Sequence, residues 1–226
     1  MLITSKIINT KNILFMLNGA KISLLLAIGA LLLGLILGTL GAASKLSKIK
    51  VLRIIGNVYV EVIRGTPMLL QIMFFYLAVP LIIQGITGTR FIADPYICGL
   101  IAMSINSGAY STELIRSGIL GIDKGQWEAS ETLGLNYRQM MQYVILPQAF
   151  KRILPPIVSE FISLIKDSSL ISTIGATELL FTANIIGANY FNYIIPLLVA
   201  GVFYLVMTMF ASYISRRMER RLAISD

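Results

Sequence analysis

The chain has 226 residues, of which 56% are apolar and only 13% are charged, and its net charge is +8. Its mean hydropathy of +0.79 lies far above the range of soluble domains, so composition indicates an integral membrane protein. The sequence has no histidine and a single cysteine, Cys98, which excludes a disulfide framework and removes the commonest metal ligand and general base. We therefore predict no metal site and no catalytic residue.

Five segments are apolar enough to cross a bilayer, because each crossing needs about 20 mainly apolar residues. They run from Asn18 to Ala43, Thr66 to Gln84, Pro95 to Ile115, Leu154 to Ile174 and Tyr193 to Ser215. The sequence therefore predicts an all-α integral membrane protein with about five transmembrane helices. Gly29, Gly34 and Gly38 recur at near-helical spacing in the first segment and favour close approach of a neighbouring helix over glycines that merely face lipid.

Basic residues mark the cytoplasmic side. Fourteen of them fall on one side of the five predicted crossings. They are Lys45, Lys48, Lys50, Arg53, Arg64, Arg116, Lys124, Arg138, Lys151, Arg152, Arg216, Arg217, Arg220 and Arg221. By the positive-inside rule this side is cytoplasmic, whereas the outer stretches 85–94 and 173–192 hold only Arg90. Lys6, Lys11 and Lys21 argue mildly against this arrangement, which we predict as N-out/C-in.

A polar helical hairpin lies between the third and fourth crossings. Asp123 with Gln126 has the pattern of a helix N-cap, and Gly134 stands where a left-handed residue would end that helix. Asn136 with Gln139 repeats the capping pattern for the next helix. The sequence predicts a compact cytoplasmic knob whose apolar contacts are Trp127, Ala129 and Leu133. The alternative is an amphipathic helix that only lies on the lipid surface.

Polar residues inside the crossings are candidates for a solute pathway, because a charge there is costly unless it faces protein or water. Glu160, Ser163 and Asp167 share one face of the fourth crossing, and Lys166 adds the opposite charge. Such a stripe could hold a zwitterion, with Glu160 meeting an ammonium group and Lys166 a carboxylate. The third crossing contributes Asn106, Ser107, Tyr110 and Glu113. Alternatively these groups pair with each other, as Glu113 can with Arg116.

The hairpin resembles the signature loop of ABC importer permeases, E-A-A, three residues, G, nine residues, then I-x-L-P. Here the motif reads Glu128, Ala129, Ser130, then Gly134, then Val144, Leu146 and Pro147. Ser130 replaces the second alanine and Val144 the isoleucine, and both changes are small.

Further stretches resemble the polar amino acid uptake branch of that family. They are Arg64-Gly65-Thr66-Pro67, AYSTELIRSGI from Ala109, and KGQWEAS with the later LPQAFKRILPP and SLIKDSSL. Thr66 of the first stretch is counted with the pathway residues. One position differs from the family pattern: Asp123 stands where a proline is expected before Lys-Gly-Gln-Trp. The resemblance implies a type I transmembrane domain over residues 17–214, between an N-terminal segment (1–16) and a basic cytoplasmic tail (215–226).

What the resemblance implies is the permease subunit of an ATP-driven amino acid importer in a bacterial plasma membrane. Its coupling loop, with Trp127, Glu128, Ala129, Ser130, Leu133 and Gly134, would sit in a cleft of a cytoplasmic ATPase dimer. ATP and Mg would bind that partner, because this chain has no phosphate-binding loop and no cofactor of its own is expected. The other implied partners are a second copy or a homologous permease, an extracytoplasmic binding protein, the amino acid and membrane lipid.

Two other classes remain open from the residues alone. A channel or scaffold without an ATPase would use the hairpin only as an interfacial anchor. An intramembrane enzyme would have to rely on carboxylates, Lys166 or hydroxyls such as that of Tyr110. The basic balance describes membrane topology, so no nucleic acid partner is predicted.

Overall fold

The computed structural model describes residues 6–223, with side chains for residues 6–220, and this part of the chain contains helices and no strand. The helices are α1 (Thr10–Leu46), α2 (Lys50–Arg64), α3 (Met68–Thr87), α4 (Pro95–Leu120), α5 (Lys124–Thr132), α6 (Tyr137–Ile174), α7 (Leu179–Asn189) and α8 (Ile194–Ala223). α3 and α6 each include a π turn, at Phe74–Ala78 and Met141–Ile145, and α6 ends in a 3-10 segment from Ser168 to Ile174. The predicted all-α membrane fold is confirmed.

Helix length and composition identify α1, α3 and α8 as candidate membrane spans, and α6 with α7 as a further span bent by 50°. α4 has 26 residues, about 39 Å at 1.5 Å per residue, but it is more polar than these. Its polar side chains, such as Asn106 and Ser111, are buried within the helix bundle rather than directed to lipid. The count of five crossings and the N-out/C-in orientation stay predictions.

The crossing of α1 and α4 is the most extensive helix contact in the described part of the chain, and glycine makes it possible. A Cβ at Gly34 would lie 2.8 Å from the Ser107 Cβ, and one at Gly38 would collide with Ser111. The predicted close approach at these two glycines is confirmed. Gly29 is looser, since its Cβ would meet only a terminal methyl of Leu100 at 3.1 Å.

The sequence predicts that residues 173–192 connect two crossings on the outer side, but in the structure most of this stretch is a helix that joins the bundle. Gly175 has a left-handed φ of +87°, which turns the backbone and lets a second helix, α7, follow at an angle of 50°. α7 packs against α1 and α8, with Leu179 and Ala183 fully buried. An apolar segment of 11 residues is too short to be recognised as a crossing by itself, so hydropathy alone does not predict that this segment packs within the bundle.

Glu178 fixes this break and is fully buried. Its Oε1 accepts from the Phe181 N–H at 2.8 Å, and its Oε2 accepts from the Leu180 N–H at 2.9 Å. Oε2 also accepts from the Ser23 hydroxyl of α1 at 3.1 Å and the Tyr204 hydroxyl of α8 at 2.7 Å. The carboxylate therefore caps α7 and joins the first and last long helices to the bend.

Replacing Glu178 with glutamine should destabilise the protein without leaving a cavity. Oε2 accepts three hydrogen bonds, and an amide nitrogen at either carboxylate position would face a donor rather than accept from it. We expect a loss of about 1–3 kcal/mol, seen as a lower thermal midpoint in detergent, because that is the cost of leaving a buried donor unsatisfied. Glu131→Gln, at an exposed position, is the control, and equal midpoints for both variants would contradict the assignment.

Candidate functional site

α5 forms a short helix that is closed at both ends. The Asp123 carboxylate accepts from the Gly125 N–H at 2.8 Å, which satisfies a free donor of the first turn. At the other end the Leu135 N–H donates to the Ser130 carbonyl at 3.1 Å and the Gly134 N–H to the Glu131 carbonyl at 2.9 Å. These two bonds define a Schellman motif, and Gly134 has the left-handed φ of +74° that it requires. The predicted start and stop are confirmed.

The next cap follows at once. The Asn136 side chain accepts from the Gln139 N–H at 3.0 Å, and the Gln139 side chain accepts from the Asn136 N–H at 3.0 Å. This reciprocal pair is the predicted capping box. α5 and the start of α6 are thus held at a fixed angle around Gly134, so the hairpin can transmit a displacement as a rigid unit.

The two faces of α5 have different roles. Trp127 packs on an apolar cluster at the ends of α4 and α6 that includes Ile119 and Met140. Ser130 is only 3% exposed, and its hydroxyl donates to the Gln126 carbonyl. These two residues anchor the knob rather than form its surface. The outward face includes Glu128, Ala129 and Leu133, of which Leu133 is 79% exposed.

α5 is also tied to α6 by a hydrogen bond. The Gln148 amide of α6 donates to the Gln126 side chain at 3.1 Å and to the Val144 carbonyl at 3.0 Å. Together with the Trp127 contacts, this bond makes the knob continuous with the helix that carries Glu160. Movement of α5 is therefore expected to move α6.

A second polar region is a cavity of about 480 Å³ between the α2–α3 turn, α4 and α6. Its lining contains one cation, two carboxylates and several hydrogen-bonding groups. The lining residues are Arg64, Gly65, Thr66, Pro67, Met68, Asn106, Tyr110, Glu160, Ser163 and Asp167. Six predicted pathway residues, Thr66, Asn106, Tyr110, Glu160, Ser163 and Asp167, are thus brought together from three parts of the chain.

The wall of the cavity is held by a hydrogen-bond network. Gln71 donates to the Thr66 hydroxyl at 2.9 Å and to the Ile63 carbonyl at 2.8 Å, and Asn106 donates to the Gln71 side-chain oxygen at 3.1 Å. The Arg64 guanidinium lies 5.0 Å from the centre of the Tyr110 ring, within the range of a cation–π interaction. The α2–α3 turn is therefore fixed against α4, and Arg64 is presented to the cavity.

Three predicted pathway residues do not line this cavity. Lys166 is exposed on another face of α6, and Ser107 is fully buried against Gly34 of α1. Glu113 forms ion pairs with Lys45 of α1 at 2.5 Å and with Arg116 at 2.8 Å. Glu113 thus takes up the pairing that the sequence offered as its alternative, and it joins the ends of α1 and α4.

Sequence reasoning missed Arg64 as a cavity residue and counted it with the cytoplasmic bases. In the structure it lies beside Tyr110, ten positions before the end of α4, or about 15 Å along that helix. The signal was present in the Arg64-Gly65-Thr66-Pro67 stretch, where a glycine and a proline break the helical path next to a charge. Among residues 6–223, no group of three or more His, Cys, Asp or Glu side chains could hold a metal ion.

Comparison with known proteins agrees with this architecture. Residues 30–224 match the family of binding-protein-dependent transport system inner membrane components. The putative glutamine transport system permease protein GlnP of Rickettsia bellii is 41% identical over 94% of this chain and 95% of its own length. The arginine transport system permease protein ArtQ of Bacillus subtilis is 39% identical, covering 94% of each chain. A crystal structure of an amino acid ABC transporter with histidines matches with a TM-score of 0.86 and 36% identity, over 93% of this chain and 95% of that one.

The fold and the hairpin thus define a multi-pass permease of the bacterial inner membrane. The chain belongs to the binding-protein-dependent transport system inner membrane components, and the predicted resemblance to polar amino acid ABC permeases is confirmed. Such a permease works with a separate ATPase, which hydrolyses ATP, and with a substrate-binding protein. This membership decides against the channel, scaffold and enzyme alternatives.

Proposed function

We propose that this permease carries a polar amino acid through the cavity between the α2–α3 turn, α4 and α6. The observation that carries the proposal is that Arg64 and Glu160 line the same cavity of about 480 Å³. A zwitterion needs one cationic and one anionic partner. Burying charged side chains among membrane helices costs free energy, so charges that line a cavity there indicate a binding site. A volume of this size accommodates a single amino acid.

Each end of the solute has a partner in this arrangement. The Arg64 guanidinium takes the carboxylate, a role that the sequence had assigned to Lys166, because a planar fork binds a carboxylate with two hydrogen bonds. Glu160 takes the ammonium group. Thr66, Asn106, Tyr110 and Ser163 offer hydrogen bonds to the remaining polar atoms.

Asp167 adds a second carboxylate to the lining and leaves the cavity with a formal charge of −1. This excess favours a solute with a cationic side chain over a neutral one. The relatives named for glutamine and for arginine transport indicate that solutes with neutral and with cationic side chains are both carried within the family.

The transporter assembles from two permeases, identical or homologous, and a cytoplasmic ATPase dimer that binds ATP and Mg. The outward face of α5, with Glu128, Ala129 and Leu133, enters a cleft of the ATPase and transmits its motion to α6. In the N-out/C-in orientation this face and the basic end of α8 share the cytoplasmic side. The opposite end of the bundle then receives the extracytoplasmic binding protein.

Arg64→Gln tests the proposed site. Without the guanidinium no cation remains in the lining, and we expect the purified complex to lose thermal stabilisation by every amino acid in a panel of the common twenty. Arg53→Gln, at an exposed position of the same helix, is the matched control and should keep the wild-type response. Stabilisation of the Arg64→Gln complex by the same amino acids at the same concentrations would contradict the site.

A further inference from the structure

The turn between α7 and α8 holds a large aromatic side chain in an unfavourable backbone conformation. Among the described residues, Phe191 alone has a positive φ without being glycine, at +50°. The residue is 96% exposed. A bulky residue in the left-handed region persists only where its surroundings impose that conformation, and such positions concentrate at functional sites.

The local hydrogen bonds explain why the backbone takes this path. The Asn192 N–H donates to the Gly187 carbonyl at 3.0 Å and the Phe191 N–H to the Ala188 carbonyl at 3.3 Å, which is a Schellman motif at the end of α7. Phe191 occupies the position that glycine usually fills. The Tyr193 ring lies against Gly187, where an added Cβ would be 3.0 Å from the Tyr193 Cγ. The turn is therefore rigid, and glycine at 191 would satisfy it with less strain.

A crevice of about 1100 Å³ opens beside this turn, between the start of α1 and the end of α7. Its lining includes Asn9, Lys11 and Asn12 from the first part of the chain and Asn189 and Tyr190 next to Phe191. Lys11 is exposed. The crevice next to Phe191 thus carries several side-chain amides and one lysine, and its lining contains no carboxylate.

The sign of this charge is unusual for its position. In the proposed N-out orientation, Lys6 and Lys11 lie on the outer side, where basic residues close to a crossing are under-represented. Acidic groups on a soluble partner would complement them and speed its association. An exposed aromatic residue on a hydrogen-bonded backbone turn, bordered by polar groups, is also the arrangement in which a few residues supply most of the binding energy of a protein interface.

We propose that Phe191 is the anchor on which the extracytoplasmic binding protein docks, with the Lys6 and Lys11 side facing an acidic patch of that protein. The proposal rests on the proposed function, because it takes the binding protein and the N-out orientation from it. Insertion into lipid headgroups is the competing explanation. A lipid contact does not require a strained backbone, so it does not explain the positive φ. Tyrosine and tryptophan, rather than phenylalanine, are also the residues enriched at the level of the headgroups.

Photocrosslinking identifies what Phe191 touches. The assembled transporter is expressed in cells with p-benzoylphenylalanine in place of Phe191, irradiated, and the adducts are identified by mass spectrometry. We expect an adduct with the solute-binding protein of the transporter. The same replacement at Leu198, an exposed position of α8, is the control and should give no such adduct. Adducts only with lipid, or only with a second permease copy, would overturn the proposal.

Phe191→Gly separates docking from folding. Because glycine relaxes the backbone, the variant should be as stable to heat as the wild type or more so. The concentration of binding protein that gives half-maximal ATPase stimulation should rise about tenfold, with basal hydrolysis unchanged. An unchanged half-maximal concentration would overturn the docking site alone. Absence of stimulation or uptake in the wild-type complex would instead contradict the proposed function.

Discussion

Gly134→Val is expected to uncouple ATP hydrolysis from uptake while the protein still inserts into the membrane. Gly134 has a φ of +74°, and a β-branched residue there costs about 1–3 kcal/mol. The Schellman motif that ends α5 would open, and Leu133 would move away from its place on the outward face. We expect uptake into proteoliposomes to fall at least about tenfold, since 1.4 kcal/mol in a docking equilibrium corresponds to a factor of ten.

Gly88→Val is the matched control for this experiment. Gly88 also has a left-handed φ, of +70°, ends α3, and has no atom within 4 Å of its Cβ direction, as is true of Gly134. The two substitutions therefore impose the same local strain at different ends of the fold. Loss of uptake in both variants to the same degree would show that general destabilisation, rather than the coupling knob, is responsible.

Glu160→Gln is expected to abolish most transport and to leave assembly intact. The substitution keeps the shape of the side chain but removes the charge that, in the proposed site, meets the ammonium group of the solute. A hydrogen bond to a charged group is worth about 1.5–3 kcal/mol, so uptake should fall by about one to two orders of magnitude. Co-purification of the ATPase with the permease measures assembly in the same preparation.

Lys166→Gln distinguishes the cavity from the wider stripe of charges on α6. Lys166 is exposed and lies outside the cavity, so its loss should change uptake little. If Lys166→Gln impaired uptake as much as Glu160→Gln, the solute carboxylate would be bound by Lys166, and the role given to Arg64 would be wrong. An equal loss of assembly and transport in Glu160→Gln would favour a purely structural role for that carboxylate.

The hairpin formed by α5 and the start of α6 could be predicted residue by residue because its signals are local. Asp123, Gly134 and the Asn136–Gln139 pair each act within one helical turn, so their sequence spacing determines their hydrogen bonds. The division of its faces could not be read in this way. Trp127 and Ser130 turn inward because α5 lies over the ends of α4 and α6, which is a tertiary contact.

The cavity could be predicted only in part. Glu160 and Asp167 are seven positions apart and share a face, whereas Lys166 is rotated by about 240° from Glu160 at 100° per residue, so helical geometry already argues against it. Ser107 follows Asn106 directly, is therefore rotated by about 100° from it, and is buried against Gly34 of α1. Arg64 precedes Glu160 by almost one hundred residues in the sequence, and its approach to Tyr110 depends on long-range packing.

The helical path across the membrane was harder to read than the individual sites. Hydropathy identifies long apolar runs, but α7 is only 11 residues long and is recruited to the bundle by the buried Glu178. α4 shows the opposite limit. The sequence predicts residues 95–115 as a crossing, but α4 falls short of the apolar character of α1, α3 and α8, because its polar side chains are buried against neighbouring helices.

ATP-dependent uptake of radiolabelled amino acids into proteoliposomes, by wild-type transporter and by the Glu160→Gln variant, tests the central claim most directly. We expect the wild type to accumulate at least one polar amino acid, with a cationic side chain favoured, and the variant to retain its ATPase subunits but accumulate little of it. Equal accumulation by both proteins would contradict the claim that this cavity carries the solute.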